Sequence, residues 1–225
     1  MQPRTYLPLA RLLADRVRVI IPAILSVRGR WTFDRALGGI EAVLDDLGVV
    51  RASLLGHSFG GALELGFAAR HPGQVVECVF ADTLAVRERF SLAREALHNP
   101  FGMLDMATPR AATAFFESCV THPAQLVRAG LWAFATDRGA DIERVVGSGI
   151  PCHVLWANRD TLLSRGDGED FARDLRATFT VATGPVVDHD WMFEDPQLFA
   201  GHLGALGLQA LSGSAAPGQG EACNS

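Results

Sequence analysis

The 225-residue chain carries 20 lysines and arginines against 25 aspartates and glutamates, a formal net charge of −5, and 48% of its residues are apolar. That length suits one domain, or one domain with an insertion, and can bury a sizeable core. The acidic balance, without a block of like charges, argues against nucleic acid or an anionic membrane as partner, because both reward a basic face. Cys78, Cys119, Cys152 and Cys223 are scattered with no C-x-x-C pair. Neither a metal cluster nor a disulfide framework is therefore expected, and reduced thiols in a cytoplasmic protein are the default. The opening MQPRTYLPLARLLADRVRV sets Arg11, Asp15 and Arg16 where a signal peptide needs an unbroken apolar run. No segment approaches the roughly 18 apolar residues of a membrane span.

In chain order, residues 6–15 are patterned as a short amphipathic helix with Leu9, Leu12 and Leu13 on one face. RVRVIIP, residues 16–22, predicts a strand closed by proline. Residues 32–47 predict a second helix, capped by Thr32 or Asp34, striped by Ile40, Val43, Leu44 and Leu47 and stopped by Gly48. Residues 53–56 predict a short buried strand running directly into a serine turn. A helix over 61–70 follows, its end marked by His71-Pro72-Gly73, and then a strand over 75–81.

From about residue 86 to 146 the pattern is helical and aromatic. Strands resume at 152–157 and 178–183, with a helix over 168–175 between them and a last helix from Pro196 to about Leu208. The tail from Ser212, small, polar and rich in glycine, is expected to be disordered. Apolar strands alternating with helices imply an α/β fold, a doubly wound, mostly parallel sheet covered on both faces. The domain is expected to span residues 1–211, with the helical run at about 85–148 leaving the sheet and returning as a lid.

The stretch LLGHSFGGALELGFAARHP contains glycine-x-serine-x-glycine, a pattern that a chain of this composition produces by chance about 0.1 times. Its context carries more weight, since an apolar strand precedes it and a helix follows without a spacer. Such a reversal forces Ser58 into a strained backbone conformation, tolerable only beside very small neighbours. Gly56 and Gly60 are expected where a Cβ collides, and Gly61 where the helix lies close to the strand. The hydroxyl of Ser58 is then lifted clear of the sheet at a helix N-terminus, which favours developing negative charge.

A serine hydroxyl needs a general base. His71 ends a helix, His98 and His122 lie in the helical run, His153 is inside a strand, His202 is on the last helix, and His57 should point away from Ser58. His189 differs, standing in the polar loop VVDHDWMFEDP after the last strand, followed by aromatics able to fix its ring. The carboxylate that orients it is expected at Asp160, which ends VLWANRD just past a strand, with Asp82 after VVECVFA as the alternative acid. Asp188 and Asp190 are too close to His189 in sequence to orient it easily.

The order Ser58, Asp160, His189 is that of the α/β-hydrolase fold. From about Tyr6 to Leu208 the chain resembles lid-bearing esterase or haloperoxidase-like members of that superfamily. LLGHSFGGALELGFAARHPGQV is similar to the family's nucleophile elbow and following helix, LWANRD to its acid turn and DHDW to its histidine loop. The resemblance implies a Phe59 N–H donor in the oxyanion hole, no cofactor and no metal. Serine at position 58 departs from the aspartate nucleophile of epoxide hydrolases and haloalkane dehalogenases. The resemblance also implies an amino-terminally shortened fold: the family's first strands and His-Gly type oxyanion loop are not matched ahead of YLPLARLLAD. PAILSVRGRWTF replaces its usual acidic turn, and RVRVIIP either pairs directly with ASLLG in a smaller sheet or lacks its neighbour.

The expected activity is hydrolysis of an ester, thioester or similar acyl bond of a small molecule. Phe90, Phe101, Met103, Met106, Phe115, Phe116, Trp132 and Phe134 are candidates for an apolar acyl pocket, a minority of them touching substrate. The alternatives are a non-catalytic remnant that binds a ligand or partner, and perhydrolysis or C–C hydrolysis by the same three residues.

Overall fold

A computed structural model describes residues 3–84, 109–135, 137–184, 187–208 and 211, with backbone alone at 109–112, 114–115 and 133–135. Its centre is one sheet of four strands, β1 (Ala52–His57), β2 (Val75–Ala81), β3 (Cys152–Ala157) and β4 (Thr178–Ala182), in the order β1-β2-β3-β4 and parallel throughout. The helices are α1 (Leu7–Leu13), α2 (Phe33–Asp46), α3 (Phe59–Arg70), α4 (Pro109–Thr121), α5 (Pro123–Ala135), α6 (Gly139–Ser148), α7 (Arg165–Leu175), α8 (Trp191–Glu194) and α9 (Pro196–Ala205). Register pairs His57 with Ala81, Ala81 with Leu155, and Ala157 with Ala182. The strands therefore finish together, and the loops leaving their carboxyl ends meet at one edge.

The period-2 alternation of the strands divides the core into two layers. Cys78, Phe80, Val154 and Trp156 pack with Phe33 and Leu37 of α2, Leu63 and Phe67 of α3, Ile142 and Val145 of α6, and Phe171 of α7. Val79, Ala81, Leu155 and Ala157 face the other way, onto Leu9 of α1, Trp191 and Phe193 of α8, and Phe199 and Leu203 of α9. Helices thus cover both faces of a parallel sheet, as the alternating pattern demands. Helix starts and stops follow their chemistry. Thr32 Oγ1 caps α2 by accepting from Arg35 N–H at 3.2 Å, and Gly48 at φ 66° follows its end. Ser164 and Asp167 form a reciprocal capping box at α7.

Residues 16–22 are not a strand, contrary to the alternation of RVRVIIP. No strand among the described residues pairs with β1 on its outer side, and this segment forms no ladder with it. Val19, Ile21 and Pro22 instead line a cavity shared with Leu54 and Leu55, and Arg18 donates to Leu47 O at 3.2 Å. Pairing of RVRVIIP with ASLLG in a smaller sheet is thereby overturned. Side-chain alternation makes a segment suitable for a sheet, but a ladder needs a partner at 4.7–4.9 Å. β1 is left as an edge, with Leu55 39% exposed.

The glycines after β1 separate into two kinds. A Cβ on Gly56 lands 2.5 Å from Gly61 Cα, and one on Gly61 overlaps the Thr83 side chain. A Cβ on Gly60 meets nothing within 4 Å, so the expected collision there is corrected: Gly60 borders the cavity, where a Cβ has room. Gly61→Ala is expected to lower the unfolding free energy by about 1–3 kcal/mol through overpacking. Gly60→Ala is expected to stay within about 0.5 kcal/mol of wild type. Urea denaturation of the pair checks this, and equal losses would contradict the distinction.

Candidate active site

Ser58 joins β1 to α3 with φ 52° and ψ −121°, a conformation that costs a residue bearing a side chain about 1–3 kcal/mol. Backbone bonds hold it there. Its N–H donates to Ala81 O at 3.0 Å, and its carbonyl accepts from Gly61 N–H and Leu84 N–H, both at 3.1 Å. The same stitching runs along the sheet edge, where Asp82 N–H donates to Leu155 O and Asn158 N–H to Ala182 O, each at 3.1 Å. Phe59 is the first residue of α3, where backbone N–H groups have no partner within the helix.

The sheet edge brings Ser58, His189 and Asp160 into contact. His189 Nε2 lies 3.0 Å from Ser58 Oγ, and His189 Nδ1 lies 2.8 Å from Asp160 Oδ2. The carboxylate is itself oriented, because Asp160 Oδ1 accepts from Leu162 N–H and Leu163 N–H, both at 2.8 Å. Its side chain is 1% exposed and that of His189 7%. A carboxylate at Nδ1 places the neutral ring's proton there and leaves Nε2 as the acceptor facing the serine hydroxyl. Burial works to lower the His189 pKa, but the hydrogen bond and charge of Asp160, with the charges of Asp82 and Asp190, outweigh it and raise it above its ordinary value.

The remaining histidines have other partners. His71 approaches Glu41 Oε1 at 3.3 Å, His122 meets Ser26 Oγ at 3.3 Å, and His153 meets Thr178 Oγ1 at 2.9 Å. His202 packs against the Trp191 ring, and His98 lies outside the described residues. Asp82 does not bond His189. Its Oδ1 accepts from Ala157 N–H at 2.7 Å and its Oδ2 from Trp191 Nε1–H at 2.8 Å. It braces the strand end that leads to Asp160 against the helix that follows His189. Asp82 is itself strained, at φ 42°. Sequence reasoning missed this brace; its signal was the tryptophan two residues after His189 in DHDW, an indole N–H that needs a buried acceptor.

A cavity of about 280 Å³ opens beside Ser58, lined largely by apolar residues, including Leu9 and Leu13 of α1, Ile21, Leu54 of β1, and Leu63 and Phe67 of α3. The Tyr6 phenol on its wall is pushed up to about 12 by burial and then by the Asp190 charge, so it stays protonated. Neither Phe116 nor Trp132 lines this cavity. Phe116 is 70% exposed, and Trp132 stacks on Phe33 at 4.0 Å beside Trp31, Phe59 and Arg138. Phe90, Phe101, Met103 and Met106 lie outside the described residues, as do the side chains of Phe115 and Phe134. Among the described residues no cluster of His, Cys, Asp or Glu is arranged to hold a metal ion, and no helix is long and apolar enough to cross a membrane.

Residues 2–202 match the profile of the Alpha/beta hydrolase family. The chain belongs to that family. As an α/β-hydrolase it is 28% identical over 192 residues to a putative non-heme haloperoxidase of Mycobacterium phage D29, across 73% of this chain and 66% of that protein. It is 36% identical over 84 residues to Lipase LipV of Mycobacterium tuberculosis, across 37% of this chain and 32% of that protein. Each match spans less than two thirds of the relative's length. Among solved α/β-hydrolase structures, a bromoperoxidase from Bacillus anthracis superposes with TM-score 0.69 at 13% identity, covering 91% of this chain and 87% of that one. The enol-lactonase from Burkholderia xenovorans LB400 superposes with TM-score 0.66 at 17% identity, covering 91% and 86%. At these identities the likeness is one of fold.

Burial, reinforced by the charge of Asp160, pushes the Asp82 carboxyl up to about 8 from an ordinary 3.8. A carboxyl with a higher pKa folded than unfolded binds its proton more tightly in the native state. Its contribution to stability is complete below about pH 4 and is lost as the pH rises toward 8. Asp82→Asn cannot ionise, so its unfolding free energy is expected to fall less than that of wild type between pH 4 and pH 8. Parallel urea-denaturation series with identical slopes would contradict this.

Proposed function

We propose that this α/β-hydrolase is a serine hydrolase that cleaves an ester, thioester or similar acyl bond of a small, apolar substrate. The observation that carries the reading is the unbroken chain from Ser58 Oγ to His189 Nε2 and from His189 Nδ1 to Asp160 Oδ2, at 3.0 and 2.8 Å. Ser58 attacks the acyl carbonyl while His189 Nε2 takes its proton, and Asp160 stabilises the imidazolium without taking the proton itself. Negative charge developing on the carbonyl oxygen is met by the Phe59 N–H at the start of α3, where the helix dipole has the same sense. His189 returns the proton to the leaving group, forming the acyl-enzyme. It then removes a proton from the water that attacks the ester to Ser58 and returns it to Ser58 Oγ as the acyl–Oγ bond breaks, releasing the acid and free serine. Gly56 and Gly61 hold the turn that presents Ser58. The apolar cavity of about 280 Å³ supports an aliphatic or small aromatic acyl group.

The same three residues could pass the acyl group to peroxide or water after C–C cleavage. The phage haloperoxidase relative makes perhydrolysis the second reaction to assay. Wild-type protein is expected to hydrolyse p-nitrophenyl butyrate and to label with a fluorophosphonate at Ser58, and Ser58→Ala to lose both, with turnover down at least about 10³-fold. Activity surviving in Ser58→Ala would sink the assignment.

The base must be neutral to accept a proton, and the His189 pKa is raised. The acid limb of kcat/KM is therefore expected above the ordinary imidazole value of 6.5. Asp160→Asn removes the group that raises it, so the limb moves to lower pH while kcat falls by about 10⁴-fold. A pH–rate profile of both proteins measures the shift, and an unmoved limb would count against Asp160 as the partner.

A further inference from the structure

His57 precedes the candidate nucleophile, and the acyl-transfer steps above leave it without a role. It is buried at 5% exposure. Its Nε2 lies 2.8 Å from the backbone carbonyl oxygen of His189. A carbonyl only accepts, so Nε2 carries the hydrogen and Nδ1 is left as a bare lone pair. Nδ1 is buried without a hydrogen-bond partner among the described residues, so no acceptor waits for a second proton. The ring lies 5.0 Å from the His189 ring and 5.4 Å, edge to face, from Phe193. It is clamped between the residue whose backbone it holds and the helix that follows.

We propose that His57 is a positioning residue for His189: its Nε2–H donates to the His189 carbonyl and fixes the backbone from which the imidazole spans Ser58 and Asp160. The proposal rests on the acyl-hydrolase reading for its kinetic consequence but not for its geometry. His189 lies in the turn 188–190, with chain to either side held by Arg159 N–H to Val187 O at 3.1 Å and Phe193 N–H to Asp190 O at 2.8 Å. Within His189 itself, the bond from His57, the last residue of β1, is what ties the backbone to the strand that runs into Ser58. Base and nucleophile are then referenced to one strand, so their separation does not depend on the loop alone. His57 also stays neutral. Burial and then the nearby His189 push its pKa down to about 3, against the bond to the His189 carbonyl and the Asp160 charge. No second cation then stands beside the imidazolium as it forms. Besides His57, the titratable groups facing His189 are Asp160, Asp82 and Asp190.

Two substitutions separate positioning from packing. His57→Phe keeps a ring and removes the donor; His57→Gln restores an N–H near the Nε2 position. With p-nitrophenyl butyrate, H57F is expected to lose about 10- to 100-fold in kcat with KM within about twofold, the scale of a small misplacement of a catalytic group. H57Q is expected to recover most of that loss. Loosening of the His189 turn weakens its bond to Asp160, so the acid limb in H57F moves to lower pH. An H57F enzyme with kcat within twofold of wild type, a loss that H57Q does not relieve, or an unmoved acid limb would each overturn the proposal.

A readout free of turnover keeps it distinct from the hydrolase reading. In ¹⁵N-edited NMR spectra, wild-type His57 is expected as the neutral Nε2–H tautomer down to about pH 4. The downfield Nδ1 proton of His189, shared with Asp160, is expected to be sharp in wild type and H57Q and broadened in H57F. A wild-type His57 protonated at Nδ1 overturns the proposal without any variant, whether or not H57F folds. A wild type that neither labels nor hydrolyses but shows these resonances refutes the hydrolase reading and leaves the role of His57 standing.

Discussion

A residue with a side chain at φ 52° and ψ −121° stays there only while its neighbours leave it no cheaper conformation. At Ser58 the neighbours do so by proximity. Gly56 and Gly61 approach so closely that neither has room for a Cβ, and Thr83 fills the space against Gly61. Thr83 is positioned in turn by donating to Gly56 O at 3.2 Å. The Glu64 side chain lies against Gly56 and accepts from Val79 N–H at 3.0 Å, linking α3 to β2. Strain at the turn is thus offset by contacts that run through two strands and a helix. The Ser58 hydroxyl then has a direction set by the sheet.

The same sheet edge crowds ionisable groups around one imidazole. Asp82 and Asp190 are pushed up to about 8 and about 6, with burial the leading cause in each. Near neutral pH Asp82 is then largely protonated, whereas Asp190 is largely ionised. Asp160 differs in its surroundings: two backbone N–H groups and His189 Nδ1 fill its oxygens and fix its direction. Asp82 contributes through geometry as well, since its two oxygens bind two of the elements that must stay in register.

How far the sequence disclosed this arrangement depends on whether a feature is local. The parallel sheet followed from apolar strands alternating with helices, and its strands β2 and β3 lie at the residues their patterns mark. Ser58, Asp160 and His189 could be singled out because each stands just past a strand end, and a parallel sheet gathers those ends at one edge. RVRVIIP misled because alternation reports side-chain faces, whereas a strand exists only with a neighbour to bond. Gly60 misled for a similar reason: its surroundings depend on where the cavity lies, which no local pattern records. The partners of His57 and Asp82 lie 132 and 109 residues away in the chain. Only the folded chain brings those groups together.

The cavity ties these points to selectivity. Residues 19–24 run beside β1 without pairing with it, and the space between them continues to Ser58. An apolar wall built from α1, this extended segment and the edge strand therefore lies beside Ser58, and none of the described side chains of α4 or α5 lines that cavity. Trp132 on α5 spends its ring on Phe33 and Arg138, which fastens α5 to the layer of α2 and α6. At about 280 Å³ the cavity sits at the lower end of small-molecule sites, which run from about 300 to 1,000 Å³. Leu9, Leu13 and Ile21 line it, so under the proposed acyl-hydrolase reading they form the wall that an acyl chain on Ser58 meets.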